Sequence, residues 1–321
     1  MGKNFEALED FIAYNSVNNL YMPREYDDIM YHYTSPAGFD GILNGDSQHL
    51  VLWASRYDCL NDTSEGTIAK LLYNEVCDNL KREGLMDPDA YEFFSHIQPS
   101  TTTIVCWNAG DYHNLTIAPC QRYIACFSRN NDSLAMWNYY TKGNRYEGYN
   151  IGMLAPDVAD RLCSLFDRFA VKTQIYPVIY DEKEQVDLIT AFLRNICMFY
   201  DKENGKRLRD IISHQLYDWG LIFKKHHFSH EEEVRIIVDV ALHNDRVPSS
   251  PFEIKYRSAC GYLVPYIELK LDKSVLLFAS IGPLLCADEH KETQKKVLKE
   301  LLTTYGYTHA IPQCSKIQIR Y

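Results

Sequence analysis

The chain has 321 residues, of which 46 % are hydrophobic and 24 % are charged, a balance typical of globular rather than disordered proteins. Its net charge of −10 excludes binding to a nucleic-acid backbone by bulk electrostatic attraction. The sequence has no run approaching the roughly 18 to 20 apolar residues of a membrane-spanning helix, and the acidic N-terminal stretch lacks a secretion-signal pattern. We therefore expect a cytoplasmic protein with no membrane association.

In the first half of the chain, short strands rich in aromatic and β-branched residues alternate with helices that carry start and stop signals. Ser35 followed by Pro36 predicts a helix start, and Gly45 closes that helix. In chain order, the predicted elements are a strand at 30–35, a helix at 35–45, a strand at 49–55, a helix at 67–84, a strand at 123–129, a helix at 132–143 and a strand at 146–154.

The second half contains the longest helical stretch, residues 183–222, which predicts one long helix or two shorter ones. It is preceded by a predicted helix at 156–168 and a strand at 174–181. After it come strands at 234–242, 262–271 and 274–283, an exposed helix at 291–306 and a last strand at 315–321.

Short runs of strands with helices inserted between them do not fit the regular alternation of a doubly wound α/β sheet. We expect a single α+β domain over residues 1–321. Its core strands lie at about 30–55, 123–154, 174–181 and 233–321, and its helical insertions at about 66–118 and 183–222. Two separate domains are the alternative.

Several common catalytic motifs are absent from the sequence. It has no phosphate-binding G-x-x-x-x-G-K-[ST], no G-x-G-x-x-G, no H-E-x-x-H and no G-x-S-x-G. The ten cysteines are scattered without a C-x-x-C pair, which excludes a zinc-finger spacing. His226, His227 and His230 are close in sequence, but a metal site needs three converging ligands, so no metal is predicted.

The stretch FSHEEEVRIIV, residues 228–238, places three acids directly before an apolar strand. At the start of a strand, Glu231 and Glu233 would point to the same face and Glu232 to the other. Two carboxylates in one cleft have separated pKa values and can divide catalytic work. The alternative is a solvated strand end whose acids pair with lysine or arginine.

Further polar and aromatic side chains lie near the ends of the predicted strands. His32 lies within an aromatic strand, and Ser128 ends the strand at 123–129. Trp137 and Tyr140 are three residues apart on a helix and therefore share a face. Each of these residues, taken alone, is more often structural than functional.

Five short motifs occur in order along the chain. They are YHYTS (31–35), L-N-D-x-x-E (60–65), CFS followed by MWNYY (126–140), EEEVR (231–235), and SIGP followed by SKIQIR (280–320). This set resembles a family of uncharacterised bacterial proteins that carry H-Y, L-N-D-x-x-E, C-F-S with M-W-x-x-Y, and E-x-E-x-R motifs. The resemblance covers the chain from about residue 30 to its end.

The order of these motifs also looks like that of ADP-ribosyltransferases, which implies a split β-sheet core and NAD as the co-substrate. The first strand of that fold matches His32, Tyr33 and Thr34, and its catalytic strand matches Glu231-x-Glu233. The middle strand departs from the pattern, because this sequence has no Ser-Thr-Ser triplet.

The same resemblance implies roles for the matching residues. Glu233 would stabilise the positive charge that develops on the ribose, and Glu231 would orient or deprotonate the acceptor. His32 would bind the adenosine ribose, with Ser128 nearby, and Trp137 or Tyr140 would stack on the nicotinamide.

Arg235 would pair with one of these two acids, or with Asp62 or Glu65. The implied acceptor is an unidentified protein or nucleic acid. The implied setting is a bacterial toxin or anti-phage effector, with a regulatory or phage protein as a further partner.

Two other functions stay open at this point. A metal-dependent nuclease would use Glu253-x-Lys255 together with Asp239 or Asp245. A catalytically inactive module would keep the fold and sense a nucleotide or a phage protein.

Overall fold

The protein is a mixed α/β structure built around one large mixed β-sheet. The structure, a computed structural model, describes residues 7–60, 66–100, 102–106, 115–141, 147–166, 171–201, 203–242, 251–259, 261–283 and 288–318.

Within these residues the helices follow one another in the order α1 (Leu8–Asn18), α2 (Pro36–Asn44), α3 (Thr67–Arg82), α4 (Pro88–Ser95), α5 (Leu134–Tyr140), α6 (Ala155–Phe166), α7 (Glu182–Ile196), α8 (Gly205–Ile222) and α9 (Asp288–Thr304). The strands are β1 (Ile29–Thr34), β2 (His49–Arg56), β3 (Thr102–Cys106), β4 (Leu115–Ser128), β5 (Tyr149–Leu154), β6 (Val171–Pro177), β7 (Glu233–Ala241), β8 (Lys255–Ala259), β9 (Tyr262–Asp272), β10 (Leu276–Ile281) and β11 (Ile311–Cys314). None of the described helices is both long enough and apolar enough to cross a membrane.

The sheet branches at β4. The main strand order is β11-β10-β5-β1-β4-β2-β9-β8, while β3 and β7 also pair with β4, and β6 pairs with β7. The described strands pair antiparallel, apart from the parallel pair of β10 and β11. Because β4 contacts four other strands, residues from distant parts of the chain meet along it.

One row of residues across the sheet is important for the site. Ser128, the last residue of β4, lies opposite Tyr31 of β1 and opposite Glu233 of β7. Directly opposed residues of antiparallel strands project to the same face. Tyr31, Ser128 and Glu233 therefore share one face of the sheet, which we call the B face. The neighbouring residues His32 and Phe127 project to the opposite face, which we call the A face.

Apolar side chains cover both faces of the sheet. On the A face, β-strand residues such as Phe127 and Val234 pack against α2, α6 and α9. On the B face, residues such as Ile124 and Ile237 pack against α1, α3, α4, α7 and α8. The short helix α5 also lies on the B face, where its Trp137 packs on a residue of β1.

The mixed helix-and-strand class expected from the sequence is confirmed, while an ADP-ribosyltransferase-like arrangement of the core stays a prediction. Ser35 caps α2 as expected, with its hydroxyl accepting a hydrogen bond from the Gly38 amide at 3.2 Å. The range 183–222, predicted to be helical, contains α7 and α8.

Other expectations about the elements are wrong. The expected helical insertion at 66–118 also contains β3 and the first part of β4, which pair as a hairpin arm rich in β-branched residues. Of the strand predicted at 315–321, residues 315–318 are not in a strand and 319–321 lie outside the described residues; the last strand that the structure describes is 311–314, where α9 returns the chain parallel to β10. The predicted helix end at Gly143 lies outside the described residues, as do Asn61, Asp62 and Glu65.

Candidate functional site

The entrance to β7 brings the acidic stretch into contact with the end of α8. After α8 ends at Ile222, the chain passes through Lys224 into a 3-10 helix, His226–Glu231, and then enters β7 at Glu233. The expectation that Glu231 and Glu233 both belong to the strand is therefore wrong. Glu231 ends the 3-10 helix, and Glu232 has a left-handed backbone with φ of 44°.

Local hydrogen bonds hold the left-handed turn at Glu232. Its amide donates to the Ser229 carbonyl at 3.1 Å, and its own carbonyl accepts from the Arg129 amide at 2.8 Å. Its side-chain Oε1 accepts from Asn130 Nδ2 at 2.9 Å. These bonds compensate for a backbone conformation that residues other than glycine adopt rarely.

One lysine joins the two other acids. Lys224 Nζ donates to Glu231 Oε2 at 2.8 Å and to Glu233 Oε2 at 2.9 Å. The three side chains are 8 %, 14 % and 6 % exposed, respectively, so Glu231 is the most accessible of them. The predicted meeting of the two carboxylates thus occurs, but through a lysine and a turn rather than through strand periodicity.

Arg235 completes this group of charges. Its Nε donates to Glu233 Oε1 at 2.9 Å, and its Nη2 donates to Glu233 Oε2 at 3.0 Å. Its Nη1 donates to the carbonyl of Leu221, in the last turn of α8, at 2.6 Å. The C-terminal end of a helix favours positive charge, so α8 stabilises the cations here. We call Lys224, Glu231, Glu233 and Arg235 the carboxylate cluster.

Glu233 and Lys224 of this cluster are both ionised at neutral pH. Burial acts to raise the pKa of Glu233, but the charges of Arg235 and Lys224, together with hydrogen bonds from Arg235 and Cys126, outweigh it and lower the pKa to about 2. Burial likewise acts to lower the pKa of Lys224, but the charge of Glu233 and the hydrogen bonds that Lys224 donates to both glutamates raise it above its usual range. Glu233 is therefore a carboxylate, not a proton donor, throughout the physiological pH range.

Aromatic side chains lie beside the cluster. Tyr140, at the end of α5, is 43 % exposed. Desolvation by its surroundings, followed by electrostatic interactions with Cys126, Glu231 and Glu233, raises its pKa, so its phenol stays neutral. The hydroxyl of Tyr180 accepts the Glu233 amide hydrogen at 3.0 Å and so fixes the first residue of β7.

A second exposed ring flanks Tyr140. Tyr139 is 59 % exposed, and its ring centroid lies 5.6 Å from that of His230, one residue before Glu231. The end of α5 and the 3-10 helix therefore present aromatic surface next to the more accessible carboxylate.

His32 and Thr34 do not join the cluster, because their side chains project to the A face. The ring of His32 lies 5.4 Å from that of Phe127, and its Nδ1 is 2.9 Å from the Cys126 carbonyl oxygen. Since a carbonyl only accepts, Nδ1 carries the proton. Desolvation lowers the pKa of His32, so the ring is neutral. Thr34 contacts Gly38 of α2 on the same face.

The remaining predicted residues outside the cluster lie on the B face, and three of them, Tyr33, Ser128 and Trp137, are buried. Ser128 donates its hydroxyl hydrogen to the Glu231 carbonyl at 2.8 Å and so positions that residue's backbone. Tyr33 donates to the Asn130 carbonyl at 2.7 Å, and its ring packs on Trp137 with centroids 4.7 Å apart. Trp137 is 0 % exposed, so of the two residues predicted to stack on nicotinamide only Tyr140 is exposed to a ligand.

Sequence reasoning missed Tyr180 and Cys126 as neighbours of Glu233. The basic stretch FKKHHF at 223–228 suggests a phosphate or nucleotide contact, or else a solvated loop, whereas the structure places its Lys224 on Glu231 and Glu233. Nothing in the sequence marks Tyr180 or Cys126 as neighbours of Glu233, because β4 and the segment after β6 reach it only through long-range strand pairing.

The described residues give the nuclease alternative no support. Among them no group of three or more His, Cys, Asp or Glu could hold a metal ion. Asp239 is 2 % exposed and is bound by Arg122, with Arg122 Nη2 at 3.0 Å from its Oδ2. Lys255 lies on β8, four strand spacings from β7, or about 19 Å at about 4.8 Å per spacing. Asp245 lies outside the described residues.

Comparison with known proteins finds similarity to a family model over part of the chain. A model described as "Protein of unknown function (DUF2971)" matches residues 136–236, which is less than half of the chain. The match supports similarity to an uncharacterised family, and it begins in α5 and ends in β7. It therefore contains Tyr140 and the whole carboxylate cluster. No match was found among curated proteins or among solved structures.

Proposed function

We propose that the protein is an NAD-dependent, ADP-ribosyltransferase-like enzyme and that the carboxylate cluster is its catalytic site. The observation that carries this proposal is the pairing of Glu231 and Glu233 on one lysine at the entrance of β7, with the exposed ring of Tyr140 beside them. The acceptor is a protein or nucleic-acid group. The setting we propose, on the sequence resemblance, is a cytoplasmic bacterial toxin or anti-phage effector.

The charges suit the chemistry of NAD. Its nicotinamide ring is a cation, which the face of an aromatic ring such as Tyr140 attracts. When the bond between nicotinamide and ribose C1′ breaks, the bonding electrons leave with nicotinamide and positive charge develops on the sugar. A carboxylate held beside that sugar stabilises the charge as it develops. An acceptor oxygen or nitrogen then bonds to C1′ and releases its proton to Glu231 or to water.

The geometry favours Glu231, rather than Glu233, as the carboxylate that contacts the substrate. Both oxygens of Glu233 accept hydrogen bonds from Arg235 or Lys224, and the residue is 5 % exposed. Glu231 is more exposed, and its Oε1 has no hydrogen-bond partner among the described residues. We therefore assign Glu231 to the substrate and Glu233 to holding the cluster in place.

The test is nicotinamide release from NAD by purified protein, with and without cell lysate as a source of acceptor. We expect Glu231→Gln to reduce the rate by about 10²-fold or more, the loss typical of one removed transition-state contact. Glu232→Gln is the matched control, because its amide oxygen can still accept from Asn130, and it should retain the wild-type rate.

Three results would count against the proposal. If Glu232→Gln loses as much activity as Glu231→Gln, the effect is not specific to the cluster. If Glu231→Gln keeps full activity, the catalytic assignment is wrong. If folded wild-type protein releases no nicotinamide with lysate present but still binds NAD, the chain is a nucleotide-sensing module rather than a transferase.

A further inference from the structure

We infer that Lys224 is a positioning residue, which holds the side chain of Glu231 against Glu233 so that the second oxygen of Glu231 faces the substrate. This inference rests on the proposed function. Neither the motifs nor the family match assigns a role to Lys224.

The contacts divide the work of fixing Glu231 between two residues. Ser128 binds the backbone carbonyl of Glu231 at 2.8 Å, which fixes the main chain. Among the described residues, the hydrogen bond to the Glu231 carboxylate comes from Lys224, at 2.8 Å. Without that ammonium the side chain would be free to rotate about its own bonds.

Lys224 is itself held in one place. Its side chain is 8 % exposed, its ammonium lies 5.3 Å from the centre of the Phe228 ring, and its backbone carbonyl accepts from Gln185 Nε2 at 3.0 Å. Glu233 is already bound by Arg235 through two nitrogens. Glu233 therefore does not depend on Lys224 alone, whereas the Glu231 side chain does within the described contacts.

The experiment compares Lys224→Met, which keeps an apolar stem of similar length, with the charge-conserving Lys224→Arg and with the neighbouring control Lys225→Met. We expect Lys224→Met to lower kcat for nicotinamide release by about 10-fold to 100-fold with KM within about 2-fold, since positioning acts on the transition state. Lys224→Arg should recover most of the loss, and Lys225→Met should match the wild type.

A double variant separates positioning from simple damage to the fold. The double variant, Lys224→Met with Glu231→Gln, removes one positive and one negative charge and so leaves the net charge of the cluster unchanged. It is therefore the safeguard against unfolding of Lys224→Met alone, which leaves an unpaired negative charge in the cluster. If Lys224 acts through Glu231, the double variant is no slower than Glu231→Gln alone. Losses that multiply, or full activity of folded Lys224→Met, would overturn the inference.

Failure of the proposed function gives a different result. If wild-type protein releases no nicotinamide, that function fails. The wild type, Lys224→Met, Glu231→Gln and the double variant then test the contact through their unfolding equilibrium constants. Coupling of Lys224 and Glu231 by about 5-fold or more supports the positioning contact, and independent effects of the two substitutions overturn it.

Discussion

Glu233 is the most constrained side chain of the carboxylate cluster, since cations bind both of its oxygens. Its pKa of about 2 in the folded protein lies below the ordinary value of 4.5. A lowered pKa means that ionised Glu233 stabilises the fold fully above about pH 4.5, and that this stability is lost as the pH falls through about 2.

The first prediction follows from this linkage. Between pH 6 and pH 2.5, the free energy of unfolding of the wild type should fall by up to about 3 kcal/mol more than that of Glu233→Gln, which cannot titrate. Denaturant unfolding at several pH values measures both curves. Parallel curves for the two proteins would show that Glu233 is not held by its cations as the structure indicates.

The acids also show where sequence reasoning stops at the residue scale. The stretch EEEVR identified the acids, but strand periodicity predicted their geometry wrongly, because no local signal marks Glu232 for a left-handed turn. Nor does the stretch identify the binding partners. Tyr180 reaches Glu233 across 53 positions of the chain, a contact that depends on the whole fold.

Helix α5 and the segment after β11 are joined by one carboxylate, that of Asp132. It accepts hydrogen bonds from Trp137 Nε1 at 2.8 Å, from the Ser315 hydroxyl at 2.6 Å and from the Lys316 amide at 2.8 Å. Ile317 then packs against the buried group around Trp137. The position of Tyr140 beside the carboxylate cluster therefore depends on the C-terminal segment.

We expect Asp132→Ala to destabilise the protein by about 2 to 3 kcal/mol, because it removes three hydrogen bonds to one side chain. Amide hydrogen exchange at residues 315–318 should become faster. The exposed Asp160 of α6 provides the control, since Asp160→Ala should leave that exchange unchanged. Equal exchange in Asp132→Ala and the wild type would mean that this carboxylate does not hold the segment.

Elements with strong local signals were predictable, and elements fixed by distant partners were not. The serine cap and proline start of α2 mark it in any context, and five of the nine residues of β7 are valine or isoleucine. In contrast, β8 is a short edge strand with the polar sequence KYRSA, and it forms because β9 offers a partner. The last strand was displaced for the same reason, since its register is set by β10.

At the scale of the whole molecule, a buried group of charges ties the sheet to the helices of the B face. Arg122 of β4, 1 % exposed, binds Asp239 of β7 through Nε and Nη2, and its Nη2 lies 2.5 Å from Asp218 Oδ1 of α8. Asp218 also lies 3.3 Å from His214 Nε2. This group lies near the end of β7 opposite the carboxylate cluster, so both ends of the strand are anchored to α8 or its C-terminal extension.

Because α8 is held at both ends of β7, we expect the B-face helices and the sheet to unfold in a single transition. Arg122→Met should lower stability by about 3 to 5 kcal/mol, since it leaves the buried carboxylate of Asp239 without its cation and removes the guanidinium from Asp218. Arg122→Met combined with Asp239→Leu should recover part of this loss, because it replaces the pair by apolar groups. Denaturant unfolding followed by tryptophan fluorescence and by far-UV circular dichroism tests both points. Separate midpoints for the two probes would mean that α8 unfolds independently of the sheet. Because Arg235 of the carboxylate cluster binds the last turn of α8, the cluster would then be lost in the first unfolding step.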